Sequence, residues 1–367
     1  MKVEFLVENI ENLLPILIRF IPTHSQIPAL SNILIEAKKE GLFIYATNLE
    51  TGIIIKVPAK IDENGATTVP GRQFIEIVNA FPKDKVEVSL EKDKLQLRCR
   101  ENKATLQTIS REEFPNILEE KGEKVHEFQY NELDKIFSKL TFSVSQDDSR
   151  PELTGILFSQ KRKYLDFVST DGFRLSLRRV KGSSMLEENG KMIFPAKIIL
   201  EALSLKTKKS IFMYVQKKTN QVVFEVENVI FVGRLISGEF PNYERVIPQD
   251  PKTKILVDTE EFLQKLRLFL VFARESANII GIEVKNGAIK MFAQSSGLGE
   301  GEATIEGKQE GADTEIAFNI KFLTDIMKNI AGKNTSIELS SSVDPAVFKT
   351  EEDPDFLHVI MPVRLQD

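Results

Sequence analysis

Apolar residues recur along this chain in two alternating rhythms. Phe74, Ile77, Val78 and Phe81 stand at i, i+3, i+4 and i+7, the spacing of one helical face. The segment ahead of them, Thr68-Val69-Pro70-Gly71-Arg72, runs from a strand-like apolar pair into a helix that proline helps to start. At an offset of 125 residues Ile193-Phe194-Pro195-Ala196-Lys197 repeats that entry, and Ile199, Ala202 and Leu203 repeat the stripe, with Lys206 breaking it. A further 124 residues on, Leu323, Ile326, Met327 and Ile330 supply it again. An earlier stripe, Ile10, Leu13, Leu14 and Leu17, predicts an opening helix and returns at Leu133, Ile136, Phe137 and Leu140. Phe262, Leu266 and Phe269 are its looser third copy. Between the helices the period falls to two. Val86, Val88 and Leu90 with Leu95 and Leu97, then Ile211, Met213 and Val215 with Val222, Phe224 and Val226, predict antiparallel strands. Polar turns such as Glu91-Lys92-Asp93-Lys94 join them.

The spacing predicts an internal repeat. Glu113-Phe114-Pro115-Asn116 returns as Glu239-Phe240-Pro241-Asn242, and Ala46-Thr47-Asn48-Leu49 as Ser169-Thr170-Asp171-Gly172. The chain therefore reads as three copies of one α+β unit, each with two helices set against antiparallel sheet. Polar stretches at 119–123 and 249–253 place the limits at 1–121, 122–251 and 252–367.

Composition narrows the chemistry. Of 367 residues, 42% are hydrophobic and 28% charged, an ordinary globular balance. The formal net charge of −5 means that bulk positive charge does not hold the chain to nucleic acid, although one face can still be basic. One cysteine, Cys99, excludes an internal disulfide and reads as a buried structural thiol in a reducing, cytoplasmic setting. Three scattered histidines leave no His-ligated metal centre, and no stretch is apolar enough for a membrane helix. The glycine-bearing segment 296–302 lacks the lysine of a phosphate-binding loop and carries two glutamates, so it reads as a hairpin turn. Asp147-Asp148 reads as a solvated loop. Lysines and arginines mark several predicted helices, among them Lys135, Lys139, Lys197, Lys265, Lys321 and Lys328. Taken alone, solvated helix faces account for them more readily than a DNA-facing surface does.

Several blocks carry a resemblance. Ser169-Thr170-Asp171-Gly172-Phe173-Arg174-Leu175, the run from Gly238-Glu239-Phe240-Pro241-Asn242-Tyr243 to Pro248, and the terminal Val359-Ile360-Met361-Pro362-Val363-Arg364-Leu365 resemble signatures of the bacterial sliding clamps, the beta subunits of DNA polymerase III. Ala46-Thr47-Asn48-Leu49-Glu50 and Thr68-Val69-Pro70-Gly71-Arg72 match as well, and the blocks keep family order from end to end. The resemblance implies a ring of two chains closed head to tail, encircling double-stranded DNA without regard to sequence. It implies a non-catalytic processivity factor that tethers the replicative DNA polymerase, needs no cofactor or metal, and is opened by a separate clamp loader.

It also implies a pocket for short peptide motifs of the polymerase, the clamp loader and repair proteins. The matching positions of the middle unit are Leu153, Thr170, Gly172, Phe173, Arg174 and Leu175, followed by Pro241, Arg245 and Val246. The last unit adds Asn319, Phe322, Val343, Val359, Met361, Pro362, Val363 and Arg364. Apolar members would take aliphatic or aromatic anchors, while Arg and Asn would meet backbone carbonyls or a Gln side chain. His24, Arg72, Arg150 and Lys197 are the implied DNA contacts. Phe173 stands where the family often has His. A metal-dependent nuclease using Asp147, Asp148 and Asp171, and a repeat scaffold that binds only proteins, are the alternatives from other classes.

Overall fold

The computed structural model describes residues 1–364 except Ser276 and Ser296, so Leu365 of the terminal block and the first residue of the segment 296–302 lie outside the described residues; of that segment, 299–302 are strand and not turn. The opening stripe does not make one helix. Only Leu14–Leu17 (α1) is α-helical, flanked by 3-10 turns at Val7–Asn9 and Ile18–Phe20. Pro15 at its start has no N–H to give to a preceding turn, and Ile21, ahead of Pro22, is extended. Ile10, Leu14 and Leu17 are still buried.

Helix α2 (Gly71–Ala80) buries Phe74, Ile75 and Val78, whereas Ile77 is half-buried and Phe81 is the extended C-cap. Its first residue has to be glycine. A Cβ on Gly71 would lie 2.6 Å from the Ile21 Cδ1 and 2.9 Å from the Ile33 Cγ2. Helix α3 (Tyr130–Thr141) buries Leu133, Ile136, Phe137 and Leu140, and α4 (Ala196–Ser204) buries Ile198, Ile199, Ala202 and Leu203. Helix α5 (Thr259–Ala273) is capped by Asp258, whose carboxylate accepts from the Glu261 N–H at 2.9 Å. Helix α6 (Ile320–Asn329) is capped by Asn319, which accepts from the Lys321 N–H at 2.9 Å. It buries Leu323, Ile326 and Met327 against α5.

Among the described residues all strand pairings are antiparallel, in sheets of five, eight and twelve strands. The five-stranded sheet runs from Ala59–Glu63 through Lys2–Leu6, Lys85–Glu91 and Lys94–Cys99 to an edge at Asn102–Gln107. Cys99 is fully buried in it. The larger sheets each join strands of neighbouring repeats. In the eight-stranded one Val229–Arg234 pairs with Thr51–Val57. In the twelve-stranded one Arg174–Lys181 pairs with Phe356–Ile360, setting Leu175 opposite Val359.

By contact the chain forms two compact bodies, residues 1–133 with 197–235, and residues 134–196 with 236–367. The cut passes through the middle repeat because its two halves hydrogen-bond to different neighbours. No helix of the described residues is long and apolar enough to cross a membrane.

Candidate functional site

The turn between strands Tyr164–Thr170 and Arg174–Lys181 builds itself from its own sequence. The Thr170 hydroxyl donates to the Arg174 carbonyl at 2.6 Å and accepts the Gly172 N–H at 3.0 Å. The Asp171 Oδ1 accepts the N–H groups of Phe173 and Arg174 at 2.9 and 3.0 Å. Such a side-chain-closed turn needs a left-handed residue, and Gly172 supplies it at φ +92°. The tight turn thrusts the Phe173 ring outward, 64% exposed, and leaves its carbonyl to accept the Met361 N–H at 2.8 Å.

A cavity of about 210 Å³ opens between this turn, the loop at Pro241–Val246 and the last strand. Thr170, Gly172, Phe173, Arg174 and Leu175 line one side, Pro241 and Val246 another, and Val359 and Met361 a third. Leu175 and Val359 belong to a buried cluster beneath the loop, with Leu157, Val168 and Tyr243. Tyr243 also lines the cavity and is absent from the sequence-derived set. Its place two residues after Pro241 in the repeated Glu-Phe-Pro-Asn block was the available signal. It is 4% exposed, and its hydroxyl donates to the Asp166 carboxylate at 3.0 Å. Burial, then the charge of Asp166, pushes the phenol pKa well above its ordinary value.

Other expected members sit elsewhere. Leu153 is 1% exposed and does not line the cavity, so it is a core residue. Arg245 is exposed on a 3-10 turn. Val343, Val363 and Arg364 line a separate open groove of about 570 Å³ with residues 314–317. There the Val363 N–H donates to the Ala317 carbonyl at 2.8 Å. Asn319 caps α6, and Phe322 lies under the Arg174 guanidinium at 4.5 Å.

Arg174 lines the cavity and is held by three partners. Its Nε donates to Asp171, Nη1 to Asp325 and Nη2 to the Phe142 carbonyl, at 3.0, 2.7 and 2.7 Å. With its side chain 10% exposed, it commits three of its five N–H groups to the protein and braces the wall.

The cations expected to meet DNA are also redistributed. Arg150 lines the cavity, and its nearest acid is Glu152 at 3.5 Å. Lys197 is folded back. Its ammonium donates to the Arg19 carbonyl at 2.8 Å and lies 4.8 Å from the Phe20 ring centre, and burial lowers its pKa. Arg72 donates to the Ile21 carbonyl at 3.3 Å, and His24 is exposed in the segment that follows. These three therefore gather around residues 19–24. There Arg19, half-exposed, pairs with the buried Glu201 carboxylate at 2.8 Å. Burial raises the Glu201 pKa, while Arg19 pulls it down.

As for the nuclease alternative, Asp171 is committed to its turn, and Asp147 accepts the Ser149 N–H. Among the described residues no three His, Cys, Asp or Glu side chains converge to hold a metal.

Comparison with known proteins identifies the family. Three models of the DNA polymerase III beta subunit match in succession, the N-terminal domain at residues 2–118, the central domain at 127–242 and the C-terminal domain at 244–364. The beta sliding clamp of Vibrio cholerae is 27% identical over 344 residues, 93% of this chain and 93% of its own. The crystal structure of the Thermotoga maritima DNA polymerase III beta subunit superposes with a TM-score of 0.90 at 27% identity and covers all of both chains. The Pseudomonas aeruginosa sliding clamp bound to griselimycin gives 0.89 at 25% identity, again covering all of both. The chain belongs to the family of the DNA polymerase III beta subunit, the bacterial sliding clamps, which are non-catalytic processivity factors of DNA replication.

Proposed function

We propose that two copies of this chain close head to tail around duplex DNA, and that the cavity at Thr170–Leu175, Pro241–Val246 and Val359–Met361 receives peptide motifs of its partners. The partners are the replicative polymerase, the clamp loader and other proteins bearing the same motif, all in the cytoplasm. The functional units are 1–121, 122–251 and 252–367. The observation that carries the peptide reading is the cavity itself. It is apolar at its base, walled by Leu175, Val246 and Val359, and rimmed by the exposed Phe173 and Met361. Phe173 makes that rim more apolar than a histidine would, which favours an aliphatic or aromatic anchor.

Two further features support ring closure. The strand Asn102–Gln107 is an open sheet edge, and residues 299–306 of the strand Gly299–Gly311 pair on one side only, with Ala288–Ser295. Unpaired edges of this kind join readily across a subunit seam. A ring holds DNA by enclosure, so contacts from His24, Arg72 and Arg19 can be weak and indifferent to sequence. Arg150, at the cavity rim, is better placed for the partner peptide than for DNA. The test is topological. Protein placed on circular DNA by a clamp loader stays bound through gel filtration in high salt and is lost once the circle is cut. Retention that ignored linearisation would sink the ring reading.

A further inference from the structure

We propose that Asp325, on α6, is a positioning residue for the partner-peptide groove, setting the spacing between its two halves through Arg174. The inference rests on the peptide reading above. One half of the groove is the cavity walled by Leu175, Pro241 and Val359. The other, on that same reading, is the α6 side, where Asn319 caps the helix and the partly buried Phe322 packs on the core. They belong to different repeats, and Arg174 lines the first while stacking on Phe322 of the second.

Its guanidinium is held from three directions. The Asp171 carboxylate fixes it to the turn that carries Phe173, the Phe142 carbonyl fixes it just past α3, and Asp325 fixes it to α6. The plane so held lies 4.5 Å from the Phe322 ring centre and 5.6 Å from that of Phe142. Asp171 and Phe142 are local to the middle repeat. Asp325 is the one acid that ties the guanidinium to the element bearing Phe322, one turn of helix away at i+3. Without its charge, Arg174 keeps the turn through Asp171 but loses its hold on α6. The Phe322 ring then loses the fixed cation above it. The cavity is preserved while its distance to Phe322 is no longer set.

This makes a distinction that a merely stabilising ion pair does not. A peptide with a single anchor, filling only the Leu175–Val359 cavity, should bind D325N within about twofold of wild type. A longer peptide, whose second anchor rests on Phe322, should bind about five- to tenfold more weakly, in the range of pairwise couplings between touching residues. In a Phe322→Leu background, Asp325→Asn should cause no further loss, because the residue through which it acts is already gone. D325E, which keeps the charge, should recover most of the affinity for the longer peptide. The measurement is fluorescence anisotropy with two labelled synthetic peptides, and thermal unfolding of each variant reports folding. If D325N folded poorly, the comparison of D325E with wild type in the two backgrounds would carry the test. Equal losses for both peptides, or additive losses in the double variant, would overturn the proposal. Wild-type protein that bound neither peptide would overturn the underlying peptide reading.

Discussion

Single residues in this protein are decided by what surrounds their charge. The Asp353 carboxylate is 7% exposed and lies between Lys139 and Arg178, both of which donate to it. Burial alone would raise its pKa, but hydrogen bonds from the two cations outweigh that and hold it below the usual carboxylate range. A carboxyl whose folded pKa is depressed contributes stability that is fully present above its unfolded pKa, about 3.8–3.9, and lost as pH falls through the folded value. Asp353→Asn would leave two nearly buried cations without a counter-charge, at a cost of about 3 kcal/mol at pH 7. Because wild type gives up the same interaction in acid, the gap between the two proteins should narrow below about pH 3.8. Urea unfolding at pH 7 and pH 3.2 measures it. A gap independent of pH would mean that Asp353 acts by shape and not by charge.

Among the elements, the turns repeat more faithfully than the helices. In the first repeat the Thr47 hydroxyl donates to the Thr51 carbonyl and accepts the Leu49 N–H, and Asn48 accepts the N–H groups of Glu50 and Thr51. This is the hydrogen-bond set of the Thr170–Arg174 turn, yet Leu49, at φ 78°, stands where Gly172 does. A non-glycine residue there costs about 1 kcal/mol. Since Leu49 is 51% exposed and contributes little packing, Leu49→Gly should stabilise the protein by up to about 1 kcal/mol, read as a higher urea midpoint. A lower midpoint would mean that the leucine side chain contributes more than its backbone costs.

The same pair of turns shows what the sequence made legible. Local hydrogen bonding and helical stripes were readable, since Thr, Asp or Asn, and a spacing of three and four act over a few residues. The opening helix was misread because a stripe does not register that Pro15 removes a donor. The bonds of Arg174 to Asp325 and of Lys197 to the Arg19 carbonyl were not readable, for they join residues 151 and 178 positions apart. Nor could periodicity show why the first repeat differs at its matching site. There Gly52 takes the place of Leu175, and a Cβ on it would lie 2.7 Å from the Ile117 Cγ2. Ile117 thus packs against the strand where the middle repeat has its cavity.

For the whole molecule, the question is what would close the proposed ring when each chain carries a net charge of −5. Like charges oppose association at long range, so apolar contact and backbone pairing have to supply the attraction. Helix α5 has the surface for it. Phe262, Leu266, Phe269 and Ala273 occupy its buried side, and Leu268 and Val271 stand 62% and 59% exposed on another. A helix that packs on a sheet ordinarily keeps its outer side polar. Both residues belong to the same repeat as the half-paired strand at 299–306, whose exposed Glu300 is opposite in charge to the exposed Lys103 of the open edge at Asn102–Gln107. Replacing Leu268 and Val271 together by glutamate adds charge to that surface without touching the buried stripe, so the fold should survive. On the ring reading wild type sediments as a dimer at micromolar concentrations; the double variant should then sediment as monomer, and retention on circular DNA should disappear with the dimer. Peptide affinity should stay within about twofold of wild type, because α5 contributes no residue to the cavity. A doubly substituted protein that still sedimented as a dimer and still held circular DNA would put the seam on another surface.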